Sequence, residues 1–323
     1  MRCVICDHSN WENVDEFRLS KQGMSLCTTC GFVSYPEKHK KKEDVIEHYR
    51  HTYRAAPGVD NLYTGSRKLH YHAEFLEEII KKWSEEGKTD PVVSDVGAAY
   101  GLYLQWFKQL RHPENNKQLF PDADLNGVEL TLTYRRNAWH EFGLDLKEDF
   151  DDSKKYDLIT SYKVAEHMYD IDVELKRYYE ALNDDGKLYI SVPTWFRILH
   201  NFGVESSFDI EYYYSTDHCN VWHERHFRHL LQKCGFAIEK EDHAIYDAAY
   251  ICRKLKEGEK VEEVKLLTVD QIRANLAAVK EASDLLTAQK FADALNVYPN
   301  FPMAWRAHYE MNRNQFHQKG FGS

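Results

Sequence analysis

Residues 91–101 read Pro91-Val92-Val93-Ser94-Asp95-Val96-Gly97-Ala98-Ala99-Tyr100-Gly101, an apolar run that passes into a turn of glycine and alanine. Leu102 to Leu110 then continue as a helix. The same alternation repeats downstream. Asn126 to Leu130 predict a second strand, 133–143 a second helix, 156–162 an apolar strand bounded by charge, 173–186 a helix ending at a glycine, and 187–193 a further strand. Strands separated by helices predict an α/β fold whose sheet is parallel and covered on both faces. The last part departs from this alternation. Residues 223–236 read as a helix, 236–243 as a strand and 248–255 as another strand, close enough to pair as a hairpin. The expected sheet is therefore mostly parallel, with an antiparallel last strand.

Upstream, residues 43–56 predict a short helix stopped by Pro57-Gly58, and Ser66 is placed to cap a helix running to about Trp83 and ended by Gly87. Its apolar residues Leu69, Ala73, Leu76, Ile79, Ile80 and Trp83 recur at helical spacing. Beyond the α/β unit, residues 257–263 form a charged linker, and helices are expected over 269–293 and 301–316. The phrase from Ala294 to Glu310 resembles the junction between helices of a tetratricopeptide repeat, yet fewer than two repeats fit, and about three are needed for such a stack. These residues read as a helical appendage that packs on the rest of the chain, on a second copy or on a protein partner. The expected organisation is a metal-binding segment over 1–42, a helical connector over 43–89, the α/β unit over 90–256 and the appendage over 257–323.

Seven cysteines are present, and four of them crowd the first thirty residues. Cys3 and Cys6 form one Cys-x-x-Cys pair, Cys27 and Cys30 another, with twenty residues between. Two such knuckles suit tetrahedral thiolate coordination of zinc. Gly31 follows the second pair and supplies the backbone freedom a knuckle needs. Disulfides are the rival, but the N-terminus lacks the apolar core of a secretory signal, which argues for a reducing, cytoplasmic setting. With all four positions filled by thiolate, the ion is expected to be structural. Cys219, Cys234 and Cys252 are scattered and read as ordinary buried thiols.

Aromatic residues make up 14% and hydrophobic residues 43% of the 323 residues, enough for a folded core. No run approaches the length of a membrane span. A formal net charge of -10 argues against a surface devoted to holding a polyanion, so nucleic acid is a poor candidate partner. The basic run Lys38-His39-Lys40-Lys41-Lys42 reads as a solvated turn.

Asp95-Val96-Gly97-Ala98-Ala99-Tyr100-Gly101 resembles the first motif of class I S-adenosylmethionine-dependent methyltransferases, written D-x-G-x-G-x-G, with Ala99 where the family has its middle glycine. That methyl is harmless only if position 99 does not need a positive φ. Tyr156 to Tyr162, followed by Glu166-His167, is similar to the family's fourth motif. Leu182 to Pro193 and Leu231 to Phe236 are similar to two later landmarks. The resemblance runs from about residue 90 to residue 254 and implies a Rossmann-like fold. It also implies S-adenosylmethionine as cofactor, with Asp95, Gly97, Ala98, Ala99, Tyr100 and Gly101 shaping the turn beside its methionine part. Glu129 is then the acid that accepts from the ribose hydroxyls, with Leu130 and Tyr162 nearby. A nicotinamide oxidoreductase shares the glycine loop and the acid but is disfavoured by the terminal hairpin. A four-cysteine segment ahead of such a unit partly resembles sugar C-methyltransferases, whose C-terminal domain is longer than this chain's.

In this chemistry the methyl carbon is attacked in line, and alignment of the reactants is the protein's main task. A protonated nucleophile also needs a base. His167 is the first candidate, with Glu166 beside it and His223 as a further one; alternatively Glu166 and His167 only position their loop. Residues 194–226 are rich in aromatic and histidine side chains, among them Trp195, Phe196, His200, Phe202, Phe208, Tyr212, Tyr213, Tyr214, His218, Trp222 and His226. Their position after the fifth strand predicts a lid over a small-molecule substrate such as a sugar. The histidines near Cys219 are too irregularly spaced to predict a second metal. The competing expectation is a methyltransferase fold that has lost catalysis and serves as a binding module.

Overall fold

The computed structural model describes residues 2–14, 24–34, 41–51, 62–194, 218–242, 247–287 and 293. The central sheet has six strands: β4 (Val92–Val96), β5 (Asp124–Val128), β6 (Tyr156–Tyr162), β7 (Leu182–Pro193), β9 (Phe236–Asp242) and β10 (Asp247–Lys254). Their order is β5-β4-β6-β7-β10-β9. Strands β5, β4, β6 and β7 pair in parallel, whereas β10 runs antiparallel to both β7 and β9. The expected terminal hairpin is therefore present. At the end of β5, Val128 also forms an isolated parallel bridge with Lys147.

Both faces of this sheet are buried, which explains its apolar strands. Leu158 and Ile159 are adjacent, and both are fully buried in opposite directions. Leu158 joins Val93, Tyr189 and Ile251 under the helices α2 (Leu62–Glu85) and α3 (Leu102–Lys108), where Phe75, Leu76, Leu104 and Phe107 close the layer. Ile159 joins Leu188, Ile190 and Tyr250 under α5 (Ile171–Ala181) and α6 (Glu224–Lys233), against Leu175, Tyr178, Phe227 and Leu230. The helix α4 (Leu132–Phe142) follows β5 and places Ala138 in the first of these layers.

Two element boundaries differ from expectation. Helix α2 begins at Leu62, so Ser66 lies within it; its end at Gly87 is as expected, with Lys88 N–H donating to the Trp83 carbonyl. Helix α5 stops at Ala181 instead of reaching Gly186, because Leu182 is buried and pairs with Tyr156 at the start of β7. Asn183, Asp184 and Asp185 are weak helix formers that do not oppose this sheet pairing. Of the two C-terminal helices expected, α7 (Val269–Thr287) is described, while the 301–316 helix lies outside the described residues. Among the described residues, no helix is long and apolar enough to cross a membrane.

The N-terminal segment forms a second sheet from β1 (Trp11–Val14), β2 (Met24–Cys27), β3 (Val33–Ser34) and β8 (Asn220–Val221). Strand β8 belongs to the stretch between β7 and α6, so the cysteine segment is tied by backbone pairing to the α/β unit. Phe32, only 1% exposed, packs on Trp222 with ring centroids 5.0 Å apart. His226 donates to the Cys30 carbonyl at 2.8 Å, Lys233 donates to the Val4 and Ile5 carbonyls, and Arg2 holds both oxygens of Asp172 on α5. Helix α7 lies against the same segment: a side chain at Gly31, where φ is +75°, would come within 2.9 Å of Ile272, and Arg273 pairs with Glu12.

This continuity gives a direct expectation. Phe32→Ala opens a cavity in the shared core and costs about 3–5 kcal/mol. Denaturant unfolding followed by tryptophan fluorescence should shift to a lower midpoint as one transition. A separate early transition for the N-terminal segment, with the main one unmoved, would contradict it.

Candidate functional site

The loop after β4 is built by backbone hydrogen bonds before any side chain is considered. Gly97 N–H and Ala98 N–H both donate to the Val128 carbonyl at the end of β5, at 2.8 and 2.9 Å. Gly101 N–H returns to the Ala98 carbonyl at 2.7 Å, closing a tight turn that feeds α3. Gly97 has φ +75°, and a side chain there would come within 2.2 Å of Val164. Any Cβ at this position therefore pushes on the loop after β6. Ala99 has φ +48°, so the condition under which its methyl is harmless is not met. The left-handed backbone that glycine adopts freely costs an alanine about 1 kcal/mol or more, and here the loop keeps its shape regardless.

Glu129 sits directly past β5 and is 9% exposed. One carboxylate oxygen accepts from Ala99 N–H at 2.9 Å and the other from Thr131 N–H at 2.8 Å. The acid thus clamps the glycine loop to the β5–α4 turn, while burial pushes its pKa up against the pull of those two donors. Asp95, at the penultimate position of β4, is also buried and accepts from Thr160 Oγ1 at 2.7 Å. Burial raises its pKa to about 7, with the hydrogen bond from Thr160 opposing and the charge of Glu129 adding to the rise.

These elements line a cavity of about 480 Å³. Gly97, Ala99, Glu129, Leu130 and Tyr162 are on its wall; Asp95, Ala98, Tyr100 and Gly101 stand behind it and shape the turn. The same cavity is lined by Tyr49 on α1 (Lys42–His51), by Glu166, His167 and Met168 after β6, and by His218. Tyr49 Oη lies 2.5 Å from His167 Nδ1, and His167 Nε2 is 3.7 Å from Glu166. His218 meets His167 edge to face, with ring centroids 4.7 Å apart. Helix α1 is tied to the Glu129 turn as well, since Thr131 Oγ1 donates to the Tyr49 carbonyl.

His223 stands apart from this group. It caps α6, accepting from Arg225 N–H at 3.1 Å, and burial lowers its pKa to about 3. It does not line the cavity. Trp222 is buried against Phe32 and Phe227, and His226 is fully committed to the N-terminal segment. Residues 195–217 of the expected lid, with Trp195, Phe196, His200, Phe202, Phe208, Tyr212, Tyr213 and Tyr214, lie outside the described residues. Tyr49 was not legible as a site residue, because nothing in a short amphipathic helix marks one tyrosine as facing a cavity.

The four N-terminal cysteines also converge. Their sulfurs lie within 4.8 Å of one another, with Cys3 to Cys30 at 3.6 Å and Cys6 to Cys27 at 3.5 Å. All four thiols are free rather than joined in disulfides. Tetrahedral thiolates on zinc stand about 3.8 Å apart, given a Zn–S distance of about 2.3 Å, so the arrangement is compatible with that ion.

The buried acid at Asp95 gives a pH expectation. Its folded pKa lies above the ordinary carboxylate value, so the stability it permits is fully present below about pH 4 and is lost as pH rises through about 7. Asp95→Asn removes that dependence. The difference in unfolding free energy, variant minus wild type, should grow between about pH 4 and pH 7; a constant difference would count against a raised pKa.

No curated protein matches the chain. Among solved structures, the magnesium protoporphyrin IX methyltransferase of Synechocystis PCC 6803 is 14% identical with a TM-score of 0.44, covering 66% of this chain and 100% of that one. An S-adenosylmethionine-dependent methyltransferase from Clostridium acetobutylicum is 12% identical with a TM-score of 0.39, covering 61% and 100%. A chain from the complex of the Haloferax volcanii Trm112 methyltransferase activator is 12% identical with a TM-score of 0.41, covering 60% and 97%. The family model described as a methyltransferase domain matches residues 69–241, more than half of the chain. The chain therefore belongs to the methyltransferase domain family and is a class I S-adenosylmethionine-dependent methyltransferase.

Proposed function

We propose that this enzyme transfers the methyl group of S-adenosylmethionine to a small-molecule acceptor seated beside Tyr49, Glu166 and His167. The observation that carries this reading is that one cavity is lined both by Gly97, Ala99 and Glu129 and by Tyr49, Glu166, His167 and His218. Glu129 holds the ribose in this scheme. Its two carboxylate oxygens each accept one backbone N–H and retain lone pairs for hydroxyl donors. Gly97 and Ala99 let the backbone approach the methionine part, while Asp95, Ala98, Tyr100 and Gly101 keep the turn in shape. Leu130 and Tyr162 contribute apolar wall.

The acceptor end supplies positioning and a site for its proton. Nδ1 of His167 stands against Tyr49, and we assign Nε2, 3.7 Å from Glu166, to act on the acceptor. A hydroxyl or comparably acidic acceptor fits this chemistry better than an amine, which attacks without a base. Where the Tyr49 hydrogen lies decides which nitrogen is protonated, and Nε2 is an acceptor when Nδ1–H donates to Tyr49 Oη.

Nothing in the loop geometry favours an inactive scaffold, because Ala99 adopts the backbone that glycine would. Zinc in the four-cysteine site is the second element of the proposal, supported by sulfur spacing and by the role of this segment in the shared core.

Calorimetry with S-adenosylmethionine tests the cofactor assignment. Glu129→Ala should weaken binding about tenfold to more than a hundredfold, since hydrogen bonds to a charged group are worth about 1.5–3 kcal/mol. His167→Ala should leave that affinity within a factor of about two but lower turnover about 10²- to 10⁴-fold once an acceptor is in hand. Equal affinity in wild type and Glu129→Ala would place the cofactor elsewhere. For zinc, metal analysis should find one equivalent per chain, lost when Cys27 and Cys30 are replaced by serine, with the melting temperature falling by about ten degrees or more. Zinc content unchanged in that variant would sink the assignment.

A further inference from the structure

We infer that Glu166, His167 and His218 hold a divalent first-row metal ion at the acceptor end of the cavity. This goes beyond the methyl-transfer reading and does not depend on it, because coordination needs only these three side chains. A carboxylate oxygen and two imidazole nitrogens lie within 4.8 Å of one another. Glu166 is 2% exposed and His218 is 6% exposed, so both donors are buried in the cavity wall. Two histidines and one carboxylate are a donor set that suits such cations, and three protein ligands leave positions open. Those positions face the cavity, since all three residues line it.

The donors come from segments far apart in sequence, and the backbone fixes their meeting. The Glu166 carbonyl accepts from both Cys219 N–H at 2.8 Å and Asn220 N–H at 3.0 Å. Asn220 Nδ2 donates to the Met168 carbonyl at 2.8 Å, and Cys219 Sγ donates to the His167 carbonyl at 3.2 Å. The stretch after His218 is thereby stitched to the loop that carries Glu166 and His167. From the other side, Ser34 Oγ donates to the Cys219 carbonyl at 2.7 Å, and β3 pairs with β8. A site held by this many main-chain bonds is preorganised, so little ordering is left for an ion to impose.

Tyr49 completes the arrangement. A ligating histidine usually donates its other ring N–H to a partner that fixes the ring, and Tyr49 Oη stands 2.5 Å from His167 Nδ1. Nε2, the nitrogen near Glu166, is then the one that meets the ion, and the ion takes over from His167 the task of making the acceptor's proton acidic. An ion there would bind an acceptor oxygen in one open position and orient it toward the cofactor side of the cavity.

Mn²⁺ titration of the full-length, zinc-loaded chain, followed by electron paramagnetic resonance, tests this, because Mn²⁺ favours oxygen and nitrogen over the cysteine thiolates. Wild type should bind one equivalent. Glu166→Gln and His218→Ala should each weaken that binding by at least about tenfold with S-adenosylmethionine affinity retained, and Tyr49→Phe by about tenfold. No bound Mn²⁺ in wild type, or equal binding in all variants, would overturn the inference while leaving His167 Nε2 as a direct proton acceptor. Should His218→Ala lose both ligands through misfolding, Glu166→Gln and the wild-type stoichiometry decide the matter. Loss of S-adenosylmethionine binding in wild type would speak against the methyl-transfer reading alone.

Discussion

A buried carboxylate gripping two backbone N–H groups is the constraint on which the cofactor side depends. Glu129 lies at the end of β5, and its oxygens reach Ala99 in the loop after β4 and Thr131 at the start of α4. Desolvation opposes the ionised acid, and the two donors offset that cost. Without them the loop would have only the Val128 carbonyl to hold Gly97 and Ala98. The same residue thus shapes the turn and presents the remaining lone pairs to the cavity. The structural role is direct, the proposed ribose contact would add to it, and a single substitution is expected to disturb both.

The acceptor side depends on a different construction. The N-terminal four-cysteine segment is not a detached appendage, because its β3 pairs with β8 and its Phe32 sits in the same buried cluster as Trp222 and Phe227. Through Ser34, Cys219 and Asn220 this sheet steadies the loop that carries Glu166 and His167. Folding of the four-cysteine segment and assembly of the cavity wall around Glu166 and His167 are therefore physically coupled. Helix α1 contributes to the cavity wall, with Tyr49 on His167 and Lys42 on Glu174.

Much of this was legible in the sequence for a simple reason: a sheet buried on both faces demands apolar strands, and a glycine-rich turn must follow the first of them. The terminal hairpin was visible because two strands stand too close for a crossover helix. The helix α5 boundary was missed, since Leu182 joins the sheet for reasons of packing that a local pattern does not carry. His223 drew attention as a histidine in an aromatic stretch, yet cap geometry and burial commit it to α6. The meeting of His218 with Glu166 and His167 had no sequence signal at all. It depends on hydrogen bonds between segments about fifty residues apart, which spacing rules for metal ligands do not cover.

The central claim is that one cavity seats the cofactor against Glu129 and the acceptor against His167. A crystal structure of the full-length chain with S-adenosylhomocysteine tests it most directly. The expected result is ribose hydroxyls on the Glu129 carboxylate, the amino-acid end beside Gly97 and Ala99, and the sulfur facing Tyr49 and His167. Ligand density elsewhere on the molecule, or in this cavity with the ribose away from Glu129, would contradict it.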